Sequence, residues 1–252
     1  MPEGLWAALA TPGAAWLALT IAVAGLVRGF TGFGTALIFV PVAGLFLPLS
    51  QVVLLIALTG LASTGALLPR AWGEADRGEV GMLALCAAVT VPAGVWALGV
   101  LPETTLRWLV TGIAATTLAA VATGWRYHAR LRAPGIAAIG GAAGVVGGMT
   151  GLTGPVVILF YLASTRAAQA VRANTILFLA ALDVVIVANL SLRGLGGGAA
   201  TVWLAALLAV PYFVTTLLGQ WLFDPARERL FRGAAYGVIA LAVITGAPLF
   251  DG

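Results

Sequence analysis

Apolar residues run along this chain in long blocks separated by short polar connections. Six blocks reach about the 18–20 apolar residues that a helix needs to cross a bilayer: 51–68, 80–99, 106–124, 174–192, 201–220 and 233–249. Two further blocks do not read as simple spans. Residues 14–47 form an apolar stretch of 34 residues, which as one helix would be about 51 Å long against a hydrocarbon core of about 30 Å. A glycine-rich motif lies near its middle, so a hairpin that enters, turns at Gly29–Gly34 and returns fits the length. Residues 135–164 repeat the design around Gly147–Gly154. The pattern predicts an all-α integral membrane protein.

Composition narrows the class. Hydrophobic residues make up 61% of the 252 and charged residues 9%, where soluble domains carry roughly a quarter charged. A formal charge of +4 and a pI near 10.0 are values that nucleic-acid-binding proteins share. Every basic residue is arginine, however, and nearly all sit in short connections, the distribution that orients a membrane protein; no nucleic-acid partner is expected. One histidine, His128, and one cysteine, Cys86, supply neither a metal constellation nor a nucleophile–base set. No phosphate-binding Gly-x-x-x-x-Gly-Lys loop is present. No enzyme, cofactor or metal is expected, and primary pumping driven by ATP would need another subunit. No basic segment precedes the first apolar block, so no cleaved signal is expected.

The chain matches itself. Gly29-Phe30-Thr31-Gly32-Phe33-Gly34-Thr35 aligns with Gly148-Met149-Thr150-Gly151-Leu152-Thr153-Gly154, a displacement of 119 residues (29 to 148). Gln51 then pairs with Gln169, Pro92 with Pro211 and Pro102 with Pro225, in the same order. Arginine placement tests the hairpin reading. With two hairpins, one side of the membrane receives Arg70, Arg77, Arg126, Arg130, Arg132, Arg166, Arg172, Arg227, Arg229 and Arg232, and the other only Arg107 and Arg193. With single crossings the same residues divide evenly, which the positive-inside rule disfavours. Two repeats follow, residues 1–128 and 129–252, each a broken-helix hairpin followed by three spans. They are inverted relative to each other, with both termini periplasmic. Inverted repeats with broken helices place substrate sites at the repeat interface near the midplane.

Two halves that each open on a Gly-Phe-Thr-Gly-Phe-Gly-like hairpin resemble the TauE/SafE sulfite exporter family of bacterial membrane transporters, over essentially the full length. The resemblance implies a multi-pass protein of the bacterial inner membrane. It also implies a small anion as substrate: sulfite, or a related sulfur-containing anion such as an organosulfonate. A passive anion channel through the same hairpins is the alternative, and a non-transport membrane protein a more distant one.

The candidate substrate-binding residues are Arg28, Gly29, Thr31, Gly32, Gly34 and Thr35 in the first motif, and Gly148, Thr150, Gly151, Thr153 and Gly154 in the second. Backbone that leaves the helix at membrane depth is tolerated only where protein covers it or a polar cavity receives it. Thr153 or Gly154 as N-cap, with Pro155 at the first helical position, would start the second returning arm, and Thr35 would start the first. Their free N–H groups and positive dipole ends make anion sites. A structural turn and, for Gly140, Gly141, Gly144, Gly147 and Gly148, close helix packing are the bland readings. Arg28 is the one arginine outside the loop pattern; it either caps the first arm or meets the substrate charge. Asp183, inside the span 174–192, either carries a coupling proton or neutralises an arginine. Gln51, Asn174, Asn189 and Gln220 read as interhelical hydrogen-bond partners, and the tryptophans near span ends as interfacial anchors beside lipid.

Overall fold

The computed structural model describes residues 3–31, 33–124, 133–162, 168–222 and 228–249. Among them every regular element is an α-helix. The first half contains α1 (Glu3–Leu9), α2 (Ala14–Thr31), α3 (Thr35–Ala43), α4 (Leu49–Glu74), α5 (Arg77–Val100) and α6 (Glu103–Ala122). The second contains α7 (Ala133–Thr150), α8 (Thr153–Leu162), α9 (Ala168–Leu192), α10 (Ala199–Leu222) and α11 (Glu228–Gly246). Gly32, His128, Arg126, Arg130, Arg132, Arg166 and Arg227 lie outside the described residues.

Among the described residues five helices are long and apolar enough to cross a membrane, Arg77–Val100, Glu103–Ala122, Ala133–Thr150, Ala170–Leu192 and Ala199–Leu222, or six if the bent pair Glu3–Leu9 and Ala14–Gly29 is one span. Four of these coincide with expected spans. The fifth is α7, expected only as a hairpin arm. The other two expected spans have shorter apolar cores, Leu49–Gly65 in α4 and Gly233–Gly246 in α11. Helix α1 was not expected; it bends 79° from α2. Leu85, Val89, Val184, Val210 and Leu241 are exposed in mid-helix, where water would penalise them and lipid would not. Trp6, Trp16, Trp72 and Trp221 are exposed too, three of them at the ends of long helices as interfacial anchors are.

Each broken block doubles back. In the first, the Phe46 ring lies against Gly13, where no Cβ would fit, so the chain that leaves at residue 13 has returned by residue 46. In the second, α5 acts as a ruler. A side chain at Gly140, Gly144 or Gly148 of α7 would strike the carbonyls of Leu83, Ala87 and Val91 in turn, so α5 and α7 run parallel in matched four-residue steps. Glu79 in the first turn of α5 is therefore level with the start of α7. Tyr161, near the end of α8, donates to Glu79 Oε1 at 3.0 Å, and Asn174 Nδ2 donates to the same oxygen at 3.2 Å. The arms are unequal: α2 and α7 have 18 residues each, but α3 has 9 and α8 has 10. At 1.5 Å per residue the short arms span about 14–15 Å, half the hydrocarbon core.

The packing repeats with the halves exchanged. Helix α7 packs on α5 and α2 on α10, while α4 packs on α9 at the centre. Gly25 and Gly29 of α2 lie over the carbonyls of Tyr212 and Thr216, as Gly144 and Gly148 lie over those of Ala87 and Val91. Thr90 pairs with Thr215 in the same way: each hydroxyl donates to carbonyls three and four residues back. These pairs are displaced by 125 residues (90 to 215), not the 119 that Pro92 and Pro211 suggest.

Candidate functional site

Why the helices break where they do is visible at two threonines. Thr31 Oγ1 donates to the Val27 carbonyl at 2.9 Å and accepts from the Phe33 N–H at 3.3 Å. Thr150 Oγ1 donates to Val146 O at 2.7 Å and accepts from the Leu152 N–H at 3.2 Å. Such local bonds divert backbone from the helix ladder. Gly34 at φ 98° and Gly151 at φ 74° then reverse the chain in the left-handed region, which side chains disfavour. Helix α3 starts at Thr35, with no side-chain cap on its N-terminus. Helix α8 starts at Thr153, so Pro155 falls in the first turn rather than at its first position; its missing N–H is still no loss there.

The two turns meet. Gly34 and Thr35 from the first hairpin, and Gly151, Thr153 and Gly154 from the second, line one cavity of about 40 Å³. At about 10–15 Å³ per water, that is room for about three waters or one small oxyanion. The first turns of α3, which has no side-chain cap, and of α8 therefore bring the positive ends of two helix dipoles to a shared space.

Arg28 and Asp183 line the same cavity. Arg28 is 7% exposed, and its Nε and Nη2 are buried without a hydrogen-bond partner. A buried charge is costly unless it is compensated; within the cavity Asp183 is the side chain that interacts electrostatically with Arg28. Asp183 comes from α9 and reaches the cavity because Gly60 of α4 leaves room: a Cβ at Gly60 would strike its carboxylate.

The expected site residues thus divide. Arg28, Gly34, Thr35, Gly151, Thr153, Gly154 and Asp183 surround one cavity. Gly29 and Gly148 do not; each lies where α2 meets α10 or α7 meets α5 and admits close backbone approach. The hydroxyls of Thr31 and Thr150 are bound within their own turns. Gly32 is outside the described residues. Sequence reasoning missed Tyr212, whose Oη lies 2.9 Å from Thr35 Oγ1, and Gly60. In sequence Tyr212 is one aromatic in an apolar span, and nothing short of the α2–α10 packing turns it toward the hairpin.

The model of the family described as "Sulfite exporter TauE/SafE" matches residues 17–245, nearly the whole chain. No curated protein and no solved structure matches it. The chain belongs to the TauE/SafE sulfite exporter family, and it is a multi-pass helical membrane protein of an anion-exporting family.

Proposed function

We propose that this TauE/SafE member is a secondary transporter of the bacterial inner membrane that binds sulfite, or a similarly small sulfur-containing anion, between its two hairpin tips. The observation that carries the reading is the buried Arg28 guanidinium, whose Nε and Nη2 have no hydrogen-bond partner, in a cavity also lined by the first turns of α3 and α8. Arg28 supplies the full positive charge, and the two helix N-termini supply backbone donors. Asp183 carries the coupling proton: a carboxylate beside the anion repels it, while a carboxylic acid does not.

The halves act as inverted repeats working by alternating access. Support comes from the exchanged packing pairs and from helix direction. Leu54 lies against Gly196, Gly60 against Asp183, and the Asp76 N–H donates to Asn174 Oδ1 at 2.8 Å. The equivalent helices α4 and α9 therefore run antiparallel, as inversion requires.

The test is titration of sulfite into the purified full chain. Charge-assisted hydrogen bonds are worth about 1.5–3 kcal/mol, so Arg28→Ala should weaken binding by roughly tenfold to a hundredfold. Unchanged affinity in a folded Arg28→Ala protein would remove the cavity as the anion site.

A further inference from the structure

Thr35 and Tyr212 hold one more proton than their own hydrogen bond uses. The two side chains are 4% and 1% exposed, both line the cavity, and their oxygens are 2.9 Å apart. Each hydroxyl brings one proton, and the bond between them takes one of the two. Other buried helical threonines, among them Thr59, Thr117 and Thr216, give theirs to the carbonyl four residues back. Thr35 has no such outlet, because it is the first residue of α3 and the preceding chain is a reversed turn.

The direction of the bond follows from acidity. Either oxygen could donate in this pair, but a phenol donates more strongly than an aliphatic alcohol, which favours Tyr212 as donor and leaves the spare proton on Thr35. The tyrosine is held there by helix packing. A Cβ at Gly25 would lie 2.7 Å from the Tyr212 carbonyl oxygen and 3.0 Å from its Cδ2. In the matching pair of the other half, Gly144 faces Ala87, and alanine has no hydroxyl. The residue displaced by 119 from Arg28 is Gly147, against which the Thr153 methyl packs. The polar groups of the cavity are thus concentrated at the first hairpin.

We infer that Tyr212 is a positioning residue of the anion site: by donating to Thr35 Oγ1 it turns the Thr35 proton into the cavity, where a bound oxyanion accepts it beside Arg28. The inference rests on the anion site proposed above. It makes the first hairpin the source of the side-chain donors, with the second contributing backbone N–H groups opposite.

The experiment is sulfite titration of full-length Tyr212→Phe, Thr35→Val, the double variant and Thr35→Ser, with melting temperature of each recorded without anion. Tyr212→Phe and Thr35→Val should each weaken sulfite binding about tenfold. The double variant should be no weaker than the worse single one, since both act through the same Thr35 proton, and Thr35→Ser should bind like the parent. Parental affinity in Tyr212→Phe would overturn the inference, whether or not its melting temperature fell. Independent, multiplying losses in the double variant would also overturn it. Loss on Arg28→Ala without loss on Tyr212→Phe would sink the tyrosine's role alone; parental affinity in Arg28→Ala would sink the anion site beneath it.

Discussion

Arg28 and Asp183 were legible in the sequence because each breaks a pattern. One is an arginine outside the connecting loops, the other a carboxylate inside an apolar span, and both conditions are expensive unless a partner or a pathway exists. The glycines were harder. Gly29, Gly34, Gly148 and Gly151 look alike in one dimension, but Gly34 and Gly151 reverse the chain while Gly29 and Gly148 hold helices together. Which face of α2 or α7 a glycine occupies depends on its neighbours, and those are remote in sequence. The threonines divide for a related reason: Thr31 and Thr150 end a helix and spend their hydroxyls on it, whereas Thr35 and Thr153 begin one. Asp183 gives a prediction at this scale. Asparagine has nearly the same shape but carries no exchangeable acid proton, so in proteoliposomes Asp183→Asn should lose sulfite accumulation driven by a pH gradient while sulfite binding stays within about threefold. Undiminished pH-driven accumulation in Asp183→Asn would leave that carboxylate a structural counter-ion.

At the scale of elements, the hairpins followed from length, the central glycine motif and the arginine distribution together, since 34 apolar residues exceed one crossing and fall short of two full ones. The unequal arms did not follow. Thr31 and Thr150 stop the outgoing helices only after 18 residues, a local bonding event that hydropathy does not register, and little length remains for the return. Helix α1 escaped notice because its 7 residues are too few for a periodic signal. The division of glycines by element has a measurable consequence. Gly148→Ala would place a methyl group 2.7 Å from the Val91 carbonyl oxygen, and overpacking of that kind costs about 1–3 kcal/mol, so its melting temperature should fall. Gly154→Ala meets only Ile158 Cδ1 at 4.0 Å; it should melt like the parent yet bind sulfite more weakly, because its methyl group narrows the cavity. Equal melting temperatures for the two variants would show that Gly148 is not the packing contact described.

For the whole molecule, the internal repeat was readable from the two turn motifs, whose displacement of 119 holds from Gly25/Gly144 to Gly29/Gly148. Beyond the hairpins the alignment slips. The connection 193–198 is longer than its counterpart at 75–76, and the packed pairs of α5 and α10 are offset by 125. Pro92 and Pro211 keep the 119 displacement in number, while the packed residues around them do not. The arrangement brings the first turns of two half-length helices from opposite halves to one cavity, which a guanidinium and a carboxylate also line, and every part of the transport proposal depends on an anion occupying it. Selenite, an analogue of sulfite with a heavier central atom, makes the occupancy directly visible. In crystals of the full chain grown with selenite, diffraction at the selenium edge should give one anomalous peak in the cavity, within hydrogen-bonding distance of the Arg28 guanidinium and facing the first turns of α3 and α8. A well-occupied selenite elsewhere in the protein, with this cavity empty, would contradict the account.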